Sequence, residues 1–193
     1  MKRITLAILI AAAAAAGAQA ATIPTLTLLP VSGNVGGLPG TVVGWGFTLS
    51  FNDPSDWVIL TGSAFTGSPV YGTYVDYLSL ATAPLYVAGP APESSIVQQT
   101  WDFSSKLGIG EFDINATAVP GAVIAGNLIV HYSVFSQDPN DPNFNPDTST
   151  VVADATLSAA AQVDVAPEPS SLLLMLGGVL LSFALTGWRH RRA

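Results

Sequence analysis

The chain contains no cysteine. That excludes disulfides, thiolate metal sites and cysteine nucleophiles, so any exported fold here is held by its core alone. Basic residues are nearly as scarce. Residues 21–166 carry twelve acids and a single base, Lys106, a net charge near −11. The whole-chain value of −7 conceals this, because Lys2, Arg3, Arg189, Arg191 and Arg192 sit at the two ends. A surface this acidic does not bind nucleic acid or anionic lipid by charge, and divalent cations are its natural counter-ions.

Histidine is the next shortage. His131 is the only one between the ends, and one histidine without cysteine leaves zinc short of ligands. A Ser–His–Asp set needs a supported, buried histidine, whereas His131 lies on a strand face with Ile129, Ser133 and Phe135. A glycosidase needs two convergent carboxylates. Glu111 and Asp113 share a strand face, but nothing singles out a pair. Residues 33–40 are glycine-rich yet lack the lysine and following helix of a phosphate loop. These absences argue against an enzyme, and an envelope hydrolase is the least favoured reading.

Long apolar runs are confined to the ends. Lys2 and Arg3 precede an apolar stretch over 4–16, and Ala18-Gln19-Ala20 offers an A-x-A cut. This is the layout of a signal peptide over 1–20, handled by the translocon and signal peptidase with cleavage set by Ala18 and Ala20. At the other end Pro167-Glu168-Pro169-Ser170-Ser171 leads into the uncharged run 172–188, then Arg189-His190-Arg191-Arg192-Ala193. Seventeen helical residues cover roughly 25 Å, the short end of a bilayer span. Arg189, Arg191 and Arg192 act as the stop that holds the C-terminus on the cytoplasmic side. The prolines make the segment before the span extended and stiff.

This order of elements over 166–193 resembles the PEP-CTERM sorting signal of Gram-negative bacteria. Ser171 stands where that signal frequently has threonine. The resemblance implies recognition by an inner-membrane exosortase at Pro167, Glu168, Pro169, Ser170 and Ser171. It also implies transient anchoring in the inner membrane through 172–188. Removal of the tail and delivery to the envelope, the cell surface or an exopolysaccharide matrix would follow.

Between the ends, residues 21–165 read as one domain with a hydrophobic period of two. Val43, Trp45, Phe47, Leu49 and Phe51 alternate with Val42, Gly44, Gly46, Thr48 and Ser50. Leu128, Val130, Tyr132 and Val134 alternate with Ile129, His131, Ser133 and Phe135. Leu157, Ala159, Ala161, Val163 and Val165 alternate with polar or small residues. Further runs fall at 25–31, 57–65, 72–80, 96–103 and 110–116, separated by Gly/Pro turns at 36–40, 52–54, 67–69, 89–92 and 120–121. Seven to nine short strands and no amphipathic helix predict an antiparallel β-sandwich of Ig-like type. A signal helix and a transmembrane helix are expected to flank it. Two facing sheets would bury Trp45, Trp57 and Trp101.

Two binding chemistries remain open. Asp138, Asp141 and Asp147, with Asn140, Asn143 and Asn145, place hard oxygen ligands in ten residues, which suits calcium. The spacing is not that of an EF-hand, and three prolines favour a stiff polar loop instead. Tyr71, Tyr74, Tyr77 and Tyr86 could stack on sugar rings, which would suit an exopolysaccharide partner. The reading that results is an exported surface or matrix protein without enzymatic activity. A carbohydrate- or calcium-binding module on the same scaffold is the alternative.

Overall fold

The structure, a computed structural model, describes residues 22–80, 85–92 and 95–167. They form ten strands: β1 (Thr25–Leu29), β2 (Asn34–Gly37), β3 (Val42–Ser50), β4 (Trp57–Phe65), β5 (Gly72–Asp76), β6 (Val87–Ala88), β7 (Ile96–Gln99), β8 (Gly110–Ile114), β9 (Val123–Phe135) and β10 (Thr150–Val165). One helical turn, α1 (Pro146–Ser149), interrupts the loop before β10. Among the described residues no helix is long and apolar enough to cross a membrane. The signal peptide over 1–20 with its cut at Ala18 and Ala20, and Glu168, Pro169, Ser170, Ser171, the run 172–188, Arg189, Arg191 and Arg192, lie outside the described residues.

The strands make two sheets. One runs β1-β3-β8-β5 with β7 also beside β3, and the other runs β2-β10-β9-β4-β6. Lettered in Ig fashion, β1, β3, β8 and β5 are A, B, E and D, while β4, β9 and β10 are C, F and G, which is the Ig-like order. One pairing departs from the antiparallel expectation. β2 runs parallel to the last residues of β10, Asn34 opposite Gln162 through Gly37 opposite Val165. The glycines that read as a turn at 36–37 therefore belong to an edge strand.

The alternating faces meet as the period requires. Trp45, Phe47, Leu49 and Phe51 from β3 and the segment after it pack against Val58, Leu60, Leu128, Val130, Val134 and Val163 of the opposite sheet. Trp45 is fully buried, and its Nε1 donates to Gly33 O at 2.7 Å. Gly33 O also accepts from Gln162 N, so one carbonyl ties the core tryptophan to the start of β2. Trp57 is only half-buried and Trp101 lies outside the sheets, so of the three tryptophans expected in the core only Trp45 is there. Tyr77 and Tyr86 are buried, which withdraws two of the four tyrosines proposed for sugar stacking, and Tyr71 and Tyr74 are half-buried.

The two ends of the sandwich differ. Thr25 pairs with Ser50 and Trp57 with Phe135, so the first described residues share an end with loops 51–56 and 136–149. The chain leaves at the opposite end, where Ala166 N donates to Gly37 O and Gly121 N donates to Val165 O.

Candidate functional site: the insertion in strand E

β7 and β8 are two halves of one strand. Gln99 pairs with Phe47 and Gly110 with Trp45, so the partner strand advances by two residues while this one advances by eleven. The surplus, residues 100–109, leaves the sheet at Gly46 and folds over its outer face. A Cβ on Gly46 would press on the backbone of Thr100 and Trp101, and one on Gly44 would overlap the Trp101 indole. Glycine at 44 and 46 therefore clears a floor for Trp101, whose period-two partners are empty of side chains. Trp101 Nε1 is buried there and meets no acceptor among the described residues.

The insertion closes as a small hairpin. Asp102 and Leu107 exchange both backbone hydrogen bonds, and Asp102 Oδ1 accepts from Ser104 N and Ser105 N. Lys106 takes the left-handed conformation in this turn, with φ 53°. That conformation costs a side-chain-bearing residue roughly 1–2 kcal/mol, and glycine or asparagine would ordinarily hold it.

What offsets the strain is the position it gives the ammonium. Lys106 Nζ lies 3.1 Å from Glu111 Oε1 and 3.3 Å from Tyr77 Oη. It also stands 4.0 Å above the Phe103 ring. Tyr77 Oη donates to Glu111 Oε2. Glu111 projects from the outer face of β8 between Gly44 and Val75, and only 6% of its side chain is exposed. Burial, together with the hydrogen bond and charge of Glu111, pushes the Tyr77 phenol well above the usual tyrosine range. Phe103, 48% exposed, forms the rim with Lys106. The arrangement offers an aromatic and cationic edge over a sealed acid, which suits binding and supplies no activated nucleophile.

A second polar cluster lies beneath it, between the sheets. A bulge in β4 between Leu60 and Gly62 reverses the alternation, so Ser63 and Phe65 face inward. Ser63 Oγ donates to Asp76 Oδ1 at 2.5 Å, lies 2.7 Å from Tyr74 Oη and 3.1 Å from Ile109 O. Ile109 O also accepts from Tyr77 N, which links the two clusters. Burial raises the Tyr74 phenol above its ordinary range, with the neighbouring Asp76 and Tyr77 adding to the effect. The hydroxyl fastens the C strand to the D strand across the side of the sandwich.

The other residues singled out in sequence are dispersed. His131 Nδ1 pairs with Asp154 Oδ1 at 2.8 Å, and Ser133 Oγ accepts from Asp154 N. A bulged register in β10 brings Asp154 to them with φ 45°. Both side chains stand exposed on the open face of the second sheet. Asp113 shares the outer face with Glu111 but stays half-exposed. In the loop 136–149, Asp138 Oδ1 accepts from Asn140 N, and Asp141 Oδ1 accepts from Asn143 N and Nδ2. Asp147 is the second residue of α1, where Asn145 Oδ1 caps its amide. Among the described residues no three His, Cys, Asp or Glu side chains gather as a metal cluster. Pro167 is exposed, two residues past Val165 and the end of β10.

Sequence reasoning did not find the insertion. Its signal was there: a domain with one base among the twelve acids of residues 21–166 will pair that base, and Gly44, Gly46, Gly108 and Gly110 mark where backbone and rings approach.

No family model and no curated protein matches the chain. Among solved structures it is similar to WR4, an MSP family member of C. elegans, at 8% identity over 73% of this chain and 97% of that one, with a TM-score of 0.34. It is also similar to AggA, the major subunit of aggregative adherence fimbriae type I of Escherichia coli, at 10% identity over 76% and 97%, TM-score 0.34. The sixth cohesin of scaffoldin B from Acetivibrio cellulolyticus matches at 14% identity over 75% and 99%, TM-score 0.28. These likenesses are too distant to carry a functional argument.

Proposed function

We propose that the chain is an exported, exosortase-sorted protein of the cell surface or extracellular matrix, which works through its folded surface and not as an enzyme. The observation that supports it most is the junction at Val165. The last strand ends there, and Pro167-Glu168-Pro169-Ser170-Ser171 follows after a single residue. A processing enzyme seated in the membrane would meet that motif directly outside the packed domain, with the run 172–188 as a temporary anchor.

The test is intact-mass measurement of the native protein with fractionation of the cells. A mature species running from residue 21 to between 167 and 170, found in the envelope or matrix, is the expected outcome. A species retaining 172–193 in the membrane would make the tail a permanent anchor and end the sorting reading.

A second reading, a carbohydrate-binding module, is favoured by the edge formed by Phe103 and Lys106. Binding of matrix polysaccharide that is lost on Phe103→Ala would establish it. Unchanged binding would remove this edge as the site.

A further inference from the structure

The end of the sandwich at which the chain leaves carries no charge in its loops. Residues 36–41, 66–71 and 115–122 contain no Asp, Glu, Lys or Arg. The opposite end carries Asp53, Asp56, Asp138, Asp141 and Asp147 with no base among them. At the uncharged end four large apolar side chains face outward: Leu38 at 38% exposure, Val70 at 68%, Val119 at 57% and Val123 at 58%.

These four belong to one surface. Gly40 N donates to Ile114 O, and Thr41 N to Leu38 O, which seats the first loop beside the strand leading to the third. Asn115 Nδ2 donates to Val70 O. Ala122 N donates to Val119 O, and Val165 N to Ala122 O, so the third loop also holds the departing chain. Among the described residues the carboxylates nearest to it along the strands are Asp113, within β8, and Asp164, which stands opposite Val123 in β10 and accepts from Gln162 Nε2 at 2.7 Å.

We propose that this charge-free end, tipped by Leu38, Val70, Val119 and Val123, rests on the headgroup layer of the membrane that the chain's own run 172–188 enters. The proposal rests on the anchoring step of the function proposed above. Chain length argues for it. Only Glu168, Pro169, Ser170 and Ser171 separate Pro167 from that run, and four residues reach about 14 Å even when fully extended. The headgroup layer itself takes up roughly 5–8 Å of that. The domain therefore cannot stand off, and the end that holds Pro167 is the end that meets the lipid.

Charge argues the same way. Anionic headgroups repel carboxylates, and the repulsion fades over about 8 Å at physiological salt. β9 alone has thirteen residues, so the acidic loops stand roughly 40 Å away. Exposed valine and leucine at an uncharged rim gain from the apolar part of an interface, as a docked face requires.

The natural absence of cysteine permits single-label experiments on the full-length chain. Leu38→Cys, Val119→Cys and, at the acidic end, Asn140→Cys would each carry a fluorophore. Each chain is reconstituted into vesicles of phosphatidylethanolamine and phosphatidylglycerol with a headgroup-attached quencher. We expect co-flotation with the vesicles and several-fold stronger quenching at 38 and 119 than at 140. Co-flotation with equal quenching at all three positions would overturn this proposal and leave anchoring intact. Failure to co-float would overturn the anchoring and this proposal together. Leu38→Asp with Val119→Asp, labelled through Val70→Cys, should lower quenching with an unchanged melting temperature.

Discussion

Lys106 Nζ lies 3.1 Å from Glu111 Oε1, joining the only base of the sandwich to the most buried carboxylate among the described residues. Lys106→Met would leave Glu111 and the Tyr77 hydroxyl sealed without the ammonium. The expected loss is about 1–3 kcal/mol, the cost of a buried polar group losing its partner. Because the lysine is part-exposed, the coupling in a double-mutant cycle with Glu111→Gln is smaller, about 1 kcal/mol. Urea denaturation measures both.

Ser63→Ala removes the donor to Asp76 and the partner of Tyr74 at once. Both remain part-buried, so a loss of about 1–3 kcal/mol is expected. Ser63→Thr keeps the hydroxyl and separates hydrogen bonding from volume. A loss equal to that of the alanine variant would mean packing, not the hydroxyl, is what matters there.

Gly44→Ala displaces Trp101 from its floor, because a Cβ there would occupy the position of the ring. The expected outcome is a red shift of tryptophan fluorescence with the fold retained. An unshifted spectrum would show that the indole is not held by the glycine floor. Trp45, buried in the core, supplies the unshifted background.

Alkaline pH should destabilise the sandwich in a way tied to tyrosine. Burial raises the phenols of Tyr74, Tyr77 and Tyr86 above the ordinary value of 10. Above that pH the unfolded chain releases these protons while the folded chain keeps them, so stability falls as pH rises. Below it both states hold them and the contribution is complete. Each tyrosine adds a slope of about 1.4 kcal/mol per pH unit. Tyrosinate absorbance should appear together with loss of far-ultraviolet strand signal, and its appearance well before unfolding would contradict the assignment.

The loop 136–149 should melt alike with calcium and with EDTA. Asp138 and Asp141 each accept hydrogen bonds from within the loop, and Phe144 packs edge-on against Phe135 with centroids 5.0 Å apart. The loop is pinned as a stiff turn. A rise in melting temperature at millimolar calcium, lost on Asp141→Asn, would show that the carboxylates turn outward to a cation.

The faces of β3, β9 and β10 were legible because alternation survives wherever a strand is regular. The β4 bulge was not, because one extra residue leaves composition unchanged while moving Ser63 and Phe65 to the inner face. β2 was hidden because its glycines read as a turn, and its partner is 128 residues away at Gln162. The candidate site was half legible. Lys106 stood out as the lone base and Glu111 as sharing a strand face with Asp113, but no local rule places Lys106 and Glu111 together.

The sequence alone determined a period-two sandwich without disulfides, strongly acidic between two apolar ends, because periodicity and composition are properties of neighbouring residues. Only the tertiary structure decided that Trp101 covers Gly44, that Ser63 fastens the two sheets, and that the acidic loops 51–56 and 136–149 lie away from the end where Pro167 leaves. Those relations depend on strand order and register, which long-range pairing sets and local pattern does not.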